Sequence, residues 1–245
     1  METMPLPEPL PDLYIRAFST PDYEPFNTIF DTSLQNTIQV YRGKYDIKHV
    51  IHKVENIETG ANTQAGSAAW QGIIHYKIQF VIKMLHEFLE RSIQNSIFIF
   101  SDCDIHFFMK NAQQWNHLIS WFMSQPKSVA FMREDTQNNL NSGFYILKSE
   151  YASKFIKILE QVDATLHTQK DLQFGDQTVL QHLQPQIDMT FIPDEFVIFG
   201  PETKSIKALF HHAVGFPTRS EKVQLMDMVK QFIELEGSVR IVRYN

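Results

Sequence analysis

The chain has 245 residues, 43% of them hydrophobic and 13% aromatic, with 20 phenylalanines, enough for one large domain with a sizeable core. A formal net charge of -6 argues against a general nucleic-acid binder, which would show a basic face. The single cysteine, Cys103, excludes an intrachain disulfide and suits a reducing compartment.

Residues Met1–Pro11 are proline-rich and read as an extended tail before one catalytic-sized domain over 12–245. The start METMPLPEPLPDLY lacks the basic and apolar regions of a signal peptide, and no apolar run is long enough to span a bilayer. A cytoplasmic protein is expected, a lumenal one only if an N-terminal anchor has been removed. Leu13–Phe18 reads as the first strand. It breaks at Ser19-Thr20-Pro21-Asp22, a cap with proline at the first helical position, and a helix follows with Tyr23, Phe26, Ile29 and Phe30 at helical spacing. No Gly-x-Gly-x-x-Gly follows the strand, which disfavours a dinucleotide site.

Thr37–Tyr41 suggests a second strand, and the small, polar stretch Thr59–Ser67 a loop. A long amphipathic helix is expected from about Ala69 to Arg91, carrying Ile73, Tyr76, Phe80, Leu85 and Phe88 with Lys77 and Lys83 among them. Asn111–Met123 reads as a helix whose aromatic stripe belongs to the core, and Val129–Met132 as a strand. A polar loop, Arg133–Leu140, runs into Asn141-Ser142-Gly143 and a strand ending at Leu147. Helices are expected over Tyr151–Leu166, from near Gly175-Asp176-Gln177, and over Glu221–Leu235. Met189–Phe199 reads as extended with a break at Pro193, and Ser238–Tyr244 as an edge strand. Alternating strands and helices give an α/β fold with a mixed, mostly parallel sheet flanked by helices.

The chemistry concentrates in Asn95–Lys110, NSIFIFSDCDIHFFMK. Ile97–Phe100 has the unbroken apolar character of a strand buried on both faces, and it ends in Ser101-Asp102-Cys103-Asp104. Ligands of open α/β sheets bind at the carboxyl ends of strands, where these acids fall. Two carboxylates so close repel unless protons or a cation lie between them, and a divalent metal with hard oxygen ligands answers that. The plainer alternative is a pair of solvated turn acids, or one acid capping the next helix. Cys103, between acids, reads as an inert packed thiol. Asp176 has an equally plain role as a first-turn helix acid, and His211-His212 as a buried imidazole with an exposed neighbour.

Four motifs occur in order: Asp102-Cys103-Asp104, Asn141-Ser142-Gly143-Phe144, Asp176-Gln177 and His212-Ala213-Val214-Gly215. In this the chain resembles nucleotide-sugar glycosyltransferases of the GT-A fold, most of all the retaining branch that includes lipooligosaccharide galactosyltransferases, glycogenin and xylosyltransferases. The resemblance implies a GT-A (nucleotide-diphospho-sugar transferase), Rossmann-like fold and transfer of a sugar from a nucleotide donor, UDP-linked by preference, to a carbohydrate or other hydroxyl acceptor. It implies manganese, with magnesium as the alternative, held by Asp102, Asp104 and His212, although the choice between His211 and His212 stays open. Asp102 would also touch the ribose. Asn141 and Asp176 would hold the transferred sugar or acceptor, Gln177 would sit beneath the anomeric carbon, Lys77 would supply a positive charge, and Ala17, Phe18 and Ser19 would border the base. Related enzymes often carry a lysine three residues after the His-x-x-Gly glycine. Thr218 stands there, followed by Arg219, whose guanidinium can bind phosphate, and further on by Lys222.

Two other readings of the same acids stand beside this one: a nucleotidyltransferase or phosphohydrolase, and a non-catalytic nucleotide-sugar-binding domain of the same fold. The first lacks a Walker-type loop, and the second is disfavoured by the presence of all the acids and a histidine.

Overall fold

A computed structural model describes residues 10–52, 67–92, 95–108, 113–135, 137–168, 175–200, 208–214 and 219–243, with the backbone alone at 22, 68, 69, 219 and 234–243. In chain order the elements are β1 (Leu13–Ser19), α1 (Glu24–Ile38), β2 (Tyr45–Ile51), α2 (Ala68–Arg91), β3 (Ile97–Asp102), β4 (Ile105–Phe107) and α3 (Gln114–Ser124). They continue with β5 (Val129–Arg133), β6 (Leu140–Lys148), α4 (Ala152–Thr168), α5 (Asp176–Leu183), β7 (Met189–Phe191), β8 (Val197–Phe199), β9 (Phe210–His212) and α6 (Arg219–Arg243).

The chain divides into two compact units, one of residues 1–22, 42–102 and 120–191, the other of 23–41, 103–119 and 192–245. The first is built on a six-stranded sheet in the order β2-β1-β3-β6-β5-β7, in which β6 alone runs against the rest. β3 lies at its centre, so Ile97–Phe100 is fully buried, as an apolar run without alternation requires. Burying each of its phenylalanines contributes about 1.5–3 kcal/mol. α2 lays Ile74, Ile78, Val81, Leu85 and Phe88 into the core at helical spacing, and α4 adds Phe155, Ile158, Leu159 and Val162. Ser67 starts α2 by accepting a hydrogen bond from the Trp70 amide at 3.0 Å, a side-chain N-cap.

The second unit carries a three-stranded sheet, β4-β9-β8. α1 covers it: the Phe30 and Phe107 rings meet at 5.9 Å, and Ser33 Oγ accepts the Phe107 amide at 3.1 Å. β9 pairs antiparallel with β4, setting Ile105 opposite His212, and the Ala213 amide donates to the Asp104 carbonyl at 3.0 Å.

Several sequence expectations are corrected. Thr37 and Ile38 end α1, and the strand expected at Thr37–Tyr41 falls instead at Tyr45–Ile51. The Thr-Ile-Gln-Val run resembles a strand, but Thr37 and Ile38 are buried in phase with Phe30 and Leu34 on one helical face. Asn141-Ser142-Gly143 belongs to β6 from its start rather than to the loop before it. The segment expected as an edge strand, Ser238–Tyr244, is helical backbone as far as Arg243, continuous with α6. The expected tail up to residue 9 and the loop over 59–66 lie outside the described residues.

Candidate active site

Asp102 ends a segment of the first unit, and Cys103-Asp104 begin a segment of the second. Each carboxylate has its own surroundings. In the first unit, Asp102 is the last residue of β3 and keeps 28% of its side chain exposed. Lys77, on α2, is buried and lies with Nζ 3.0 Å from Asp102 and 3.2 Å from Asp176. Burial by itself would discharge this ammonium. The charges and hydrogen bonds of Asp102 and Asp176 outweigh that and raise its pKa above the ordinary value, so Lys77 is a permanent cation. It also lies 5.2 Å from the Phe100 ring centroid. Tyr145 stacks on Phe100 at 5.3 Å, and burial, with Asp176 and Asp102 nearby, pushes its phenol pKa up, so it stays protonated. Asp176 does stand in the first turn of α5, but its buried carboxylate pairs with Lys77, and the residue preceding the helix, Gly175, offers no side-chain cap.

Next to this lies an amide network. Gln177 Oε1 accepts hydrogen bonds from Asn141 Nδ2 at 3.2 Å and the Ser142 amide at 3.3 Å. Asn141 Nδ2 also donates to Glu134 at 2.5 Å, and its Oδ1 accepts the Gly143 amide at 2.8 Å. Asn141 thus links Glu134, Gln177 and the Gly143 amide, and its Oδ1 keeps a second lone pair. Glu134 is a member the sequence did not single out. It sits in a polar loop among other acids and amides, with nothing in its spacing to mark it. At the end of β1, Ala17 and Phe18 have buried side chains, with Phe18 against Phe80 at 5.5 Å, while Ser19 Oγ meets His49 Nε2 at 2.9 Å.

In the second unit, Asp104 is buried and held from two sides: His212 Nε2 is 3.1 Å from Oδ1, and Lys222 Nζ is 2.6 Å from Oδ2. Burial would protonate this carboxyl. Lys222 and His212 more than offset it and hold its pKa far below the usual carboxylate range. β4–β9 pairing brings the imidazole across 108 residues of sequence. His211 points elsewhere: its Nε2 lies 2.9 Å from the Gly200 carbonyl, and burial lowers its pKa to about 4, so the ring is neutral. Gly200 adopts φ +59° and donates its amide to the His212 carbonyl at 3.0 Å, fixing the strand that carries both histidines. Of the cations considered after the His-x-x-Gly motif, Lys222 is the one found on Asp104. Arg219 is the first residue of α6 with its side chain outside the described set, as are Gly215 and Thr218 altogether.

The six-stranded, mostly parallel sheet flanked by helices matches the GT-A glycosyltransferase fold. A solved glycosyltransferase involved in glycosylation of the major capsid of PBCV-1 is similar with a TM-score of 0.58 at 15% identity, over 87% of this chain and 98% of that one. The bifunctional glycosyltransferase WbbM matches at 0.52, 10% identity and 94% of this chain, and apo GlyE of Streptococcus pneumoniae TIGR4 at 0.50, 12% and 93%. This chain spans 52% and 64% of the length of those two. No curated protein matches the sequence. The profile of the nucleotide-diphospho-sugar transferase family matches residues 49–226, and the chain belongs to that family. It is a glycosyltransferase. Among the described residues, no helix is long and apolar enough to cross a membrane.

Proposed function

We propose that the protein moves a sugar from a nucleoside-diphosphate donor, UDP-linked by preference, to a hydroxyl of a glycan or other acceptor, with retention and with a divalent cation held by Asp102, Asp104 and His212. The observation that carries this is the seating of His212 Nε2 3.1 Å from Asp104 Oδ1. Metal–ligand bonds of about 2.1 Å put adjacent octahedral ligands about 3.0 Å apart, so the imidazole and carboxylate already stand at ligand spacing. Asp102 is tied to them through a single intervening residue. Two carboxylates and one imidazole suit manganese, with magnesium as the alternative.

When bound, the cation stabilises the negative charge that collects on the diphosphate as it leaves. Lys77 beside Asp102 and Lys222 beside Asp104 each add an ammonium to the charge that faces the phosphates, with Arg219 as a further phosphate ligand. The carbon–oxygen bond to the diphosphate breaks with its electron pair on oxygen. The acceptor oxygen bonds to the anomeric carbon, and its proton passes to the departing phosphate. Asp176 and Asn141 face the sugar, and the strand end Ala17–Ser19 borders the base. Gln177 is assigned the place beneath the anomeric carbon, and the hydrogen bonds its carbonyl accepts from Asn141 and Ser142 fix its side chain. A carboxamide is a poor nucleophile, so departure and attack on one face fit better than a covalent intermediate.

Thermal unfolding with UDP, GDP and ATP, each with manganese or with chelator, tests this. UDP with manganese at about a hundred times its dissociation constant adds about 2.7 kcal/mol. Stabilisation by UDP only with manganese, and slow hydrolysis of a UDP-sugar lost in Asp104→Ala, supports the proposal. Indifference to every diphosphate with metal present overturns it, and stabilisation by ATP alone points to a different phosphate enzyme.

A further inference from the structure

Away from the acidic motif, α2 and α4 bring together three groups with metal-ligand chemistry. Asp163 and His167 are four residues apart on α4, which puts them on one helical face. His75 meets them from α2. Its Nδ1 lies 2.9 Å from Asp163 Oδ1, and its ring stands at 88° to that of His167 with centroids 4.0 Å apart. One nitrogen from each imidazole and one oxygen of Asp163 all lie within 4.8 Å of one another.

Three details separate this cluster from an ordinary surface ion pair. Asp163 Oδ1 is buried and accepts no hydrogen bond among the described residues, although His75 Nδ1 is at contact distance. His167 Nδ1 is 3.1 Å from the Asp163 carbonyl, the contact that places a proton on Nδ1 and leaves Nε2 with its lone pair. Metal-bound histidines are commonly oriented by such a backbone carbonyl. Gln79 Nε2 lies 2.9 Å from His75 Nε2, and turning that amide presents its oxygen to an Nε2–H, which frees His75 Nδ1 for the ion.

We propose that His75, Asp163 and His167 form a second cation site, for zinc or a chemically similar ion such as cobalt, nickel or copper. Two imidazoles and one carboxylate match the borderline-soft donor set these ions prefer, unlike the oxygen-rich sets of magnesium and calcium. Bonds of about 2.0–2.1 Å bring tetrahedral ligands to about 3.4 Å, so side-chain rotations of the order of an ångström close the site. The side chains of His75 and Asp163 are 23% and 22% exposed, so a fourth position stays open to water. The ion ties α2 to α4 two residues before Lys77, and thereby restrains the helix that carries this cation. The proposal stands without the donor-site reading, since it shares no residue with it.

The test uses the full chain, with zinc followed by equilibrium dialysis and thermal unfolding, and cobalt by its visible absorption. Wild type, His167→Gln, Asp163→Asn and Asp104→Asn are compared. The expected result is one zinc that Asp104→Asn retains, with a raised Tm, and that His167→Gln and Asp163→Asn bind at least about tenfold more weakly. Cobalt should give the intense bands of a low-coordinate site in wild type and lose them in His167→Gln. If Asp104→Asn does not fold, a stoichiometry lower by one in His167→Gln than in wild type decides the matter. Unchanged zinc affinity in His167→Gln, or no zinc bound at micromolar concentration, overturns the proposal.

Discussion

Acid stability should report directly on His211. The ring is fully buried, held by the Gly200 carbonyl, and its pKa is lowered from 6.5 to about 4 by burial. A histidine whose folded pKa is depressed binds fewer protons folded than unfolded between those two values, so stability rises with pH across that window. Its contribution is present above 6.5 and is lost as pH falls toward 4. Protonation linkage puts the loss at about 2 kcal/mol at pH 5 and about 3 kcal/mol at pH 4. Asp104, with a depressed carboxyl, loses its own contribution only at lower pH, below the ordinary carboxylate value, so the two effects separate. His211→Gln keeps a donor for the Gly200 carbonyl and removes the titration. Urea unfolding from pH 7 to pH 4, in chelator, should show wild type falling toward the variant by these amounts. Parallel curves for the two proteins would refute the account of a neutral, buried His211, and would reopen the choice between the two histidines as the Asp104 partner.

Lys77→Met strips the buried carboxylate of Asp176, and Asp102 with it, of their ammonium, and should cost about 3–5 kcal/mol in urea unfolding; a loss under about 1 kcal/mol would mean the triad is not held as described. Lys222→Met should lower stability by about 3 kcal/mol in chelator, with manganese restoring part of it, because a bound cation takes over the charge on Asp104; equal stability with and without metal would count against a cation there. Gly200→Ala introduces a side chain at φ +59° and should cost about 1–2 kcal/mol while disturbing the β8–β9 pairing, seen as a lowered Tm. An unchanged Tm would show that the turn relaxes freely.

The reading from motifs and the folded site agree where local pattern decides. An apolar run with no alternation is legible as a central strand, and β3 is one. Lys77 was legible from the family resemblance as a positive charge for the site, but its pairing with Asp102 and Asp176 was not. Its direction depends on how α2 packs across the sheet, which periodicity does not encode. Glu134 was invisible because its role depends on Asn141, with which it meets across a loop. The strand expected at Thr37–Tyr41 failed because β-branched residues that pack well in a helix look the same in a list of residues as those that pair in a sheet.

Sequence by itself determined the alternation that makes an α/β fold, the buried central strand, and the acids at its end. These follow from side-chain period and from where carboxylates can stand without a partner. Tertiary structure alone decided that His212 and not His211 reaches Asp104, and that Lys222 supplies the ammonium there. Adjacent residues of a strand face opposite sides, and which side meets β4 is set by register, a property of two segments 108 residues apart and of neither one alone.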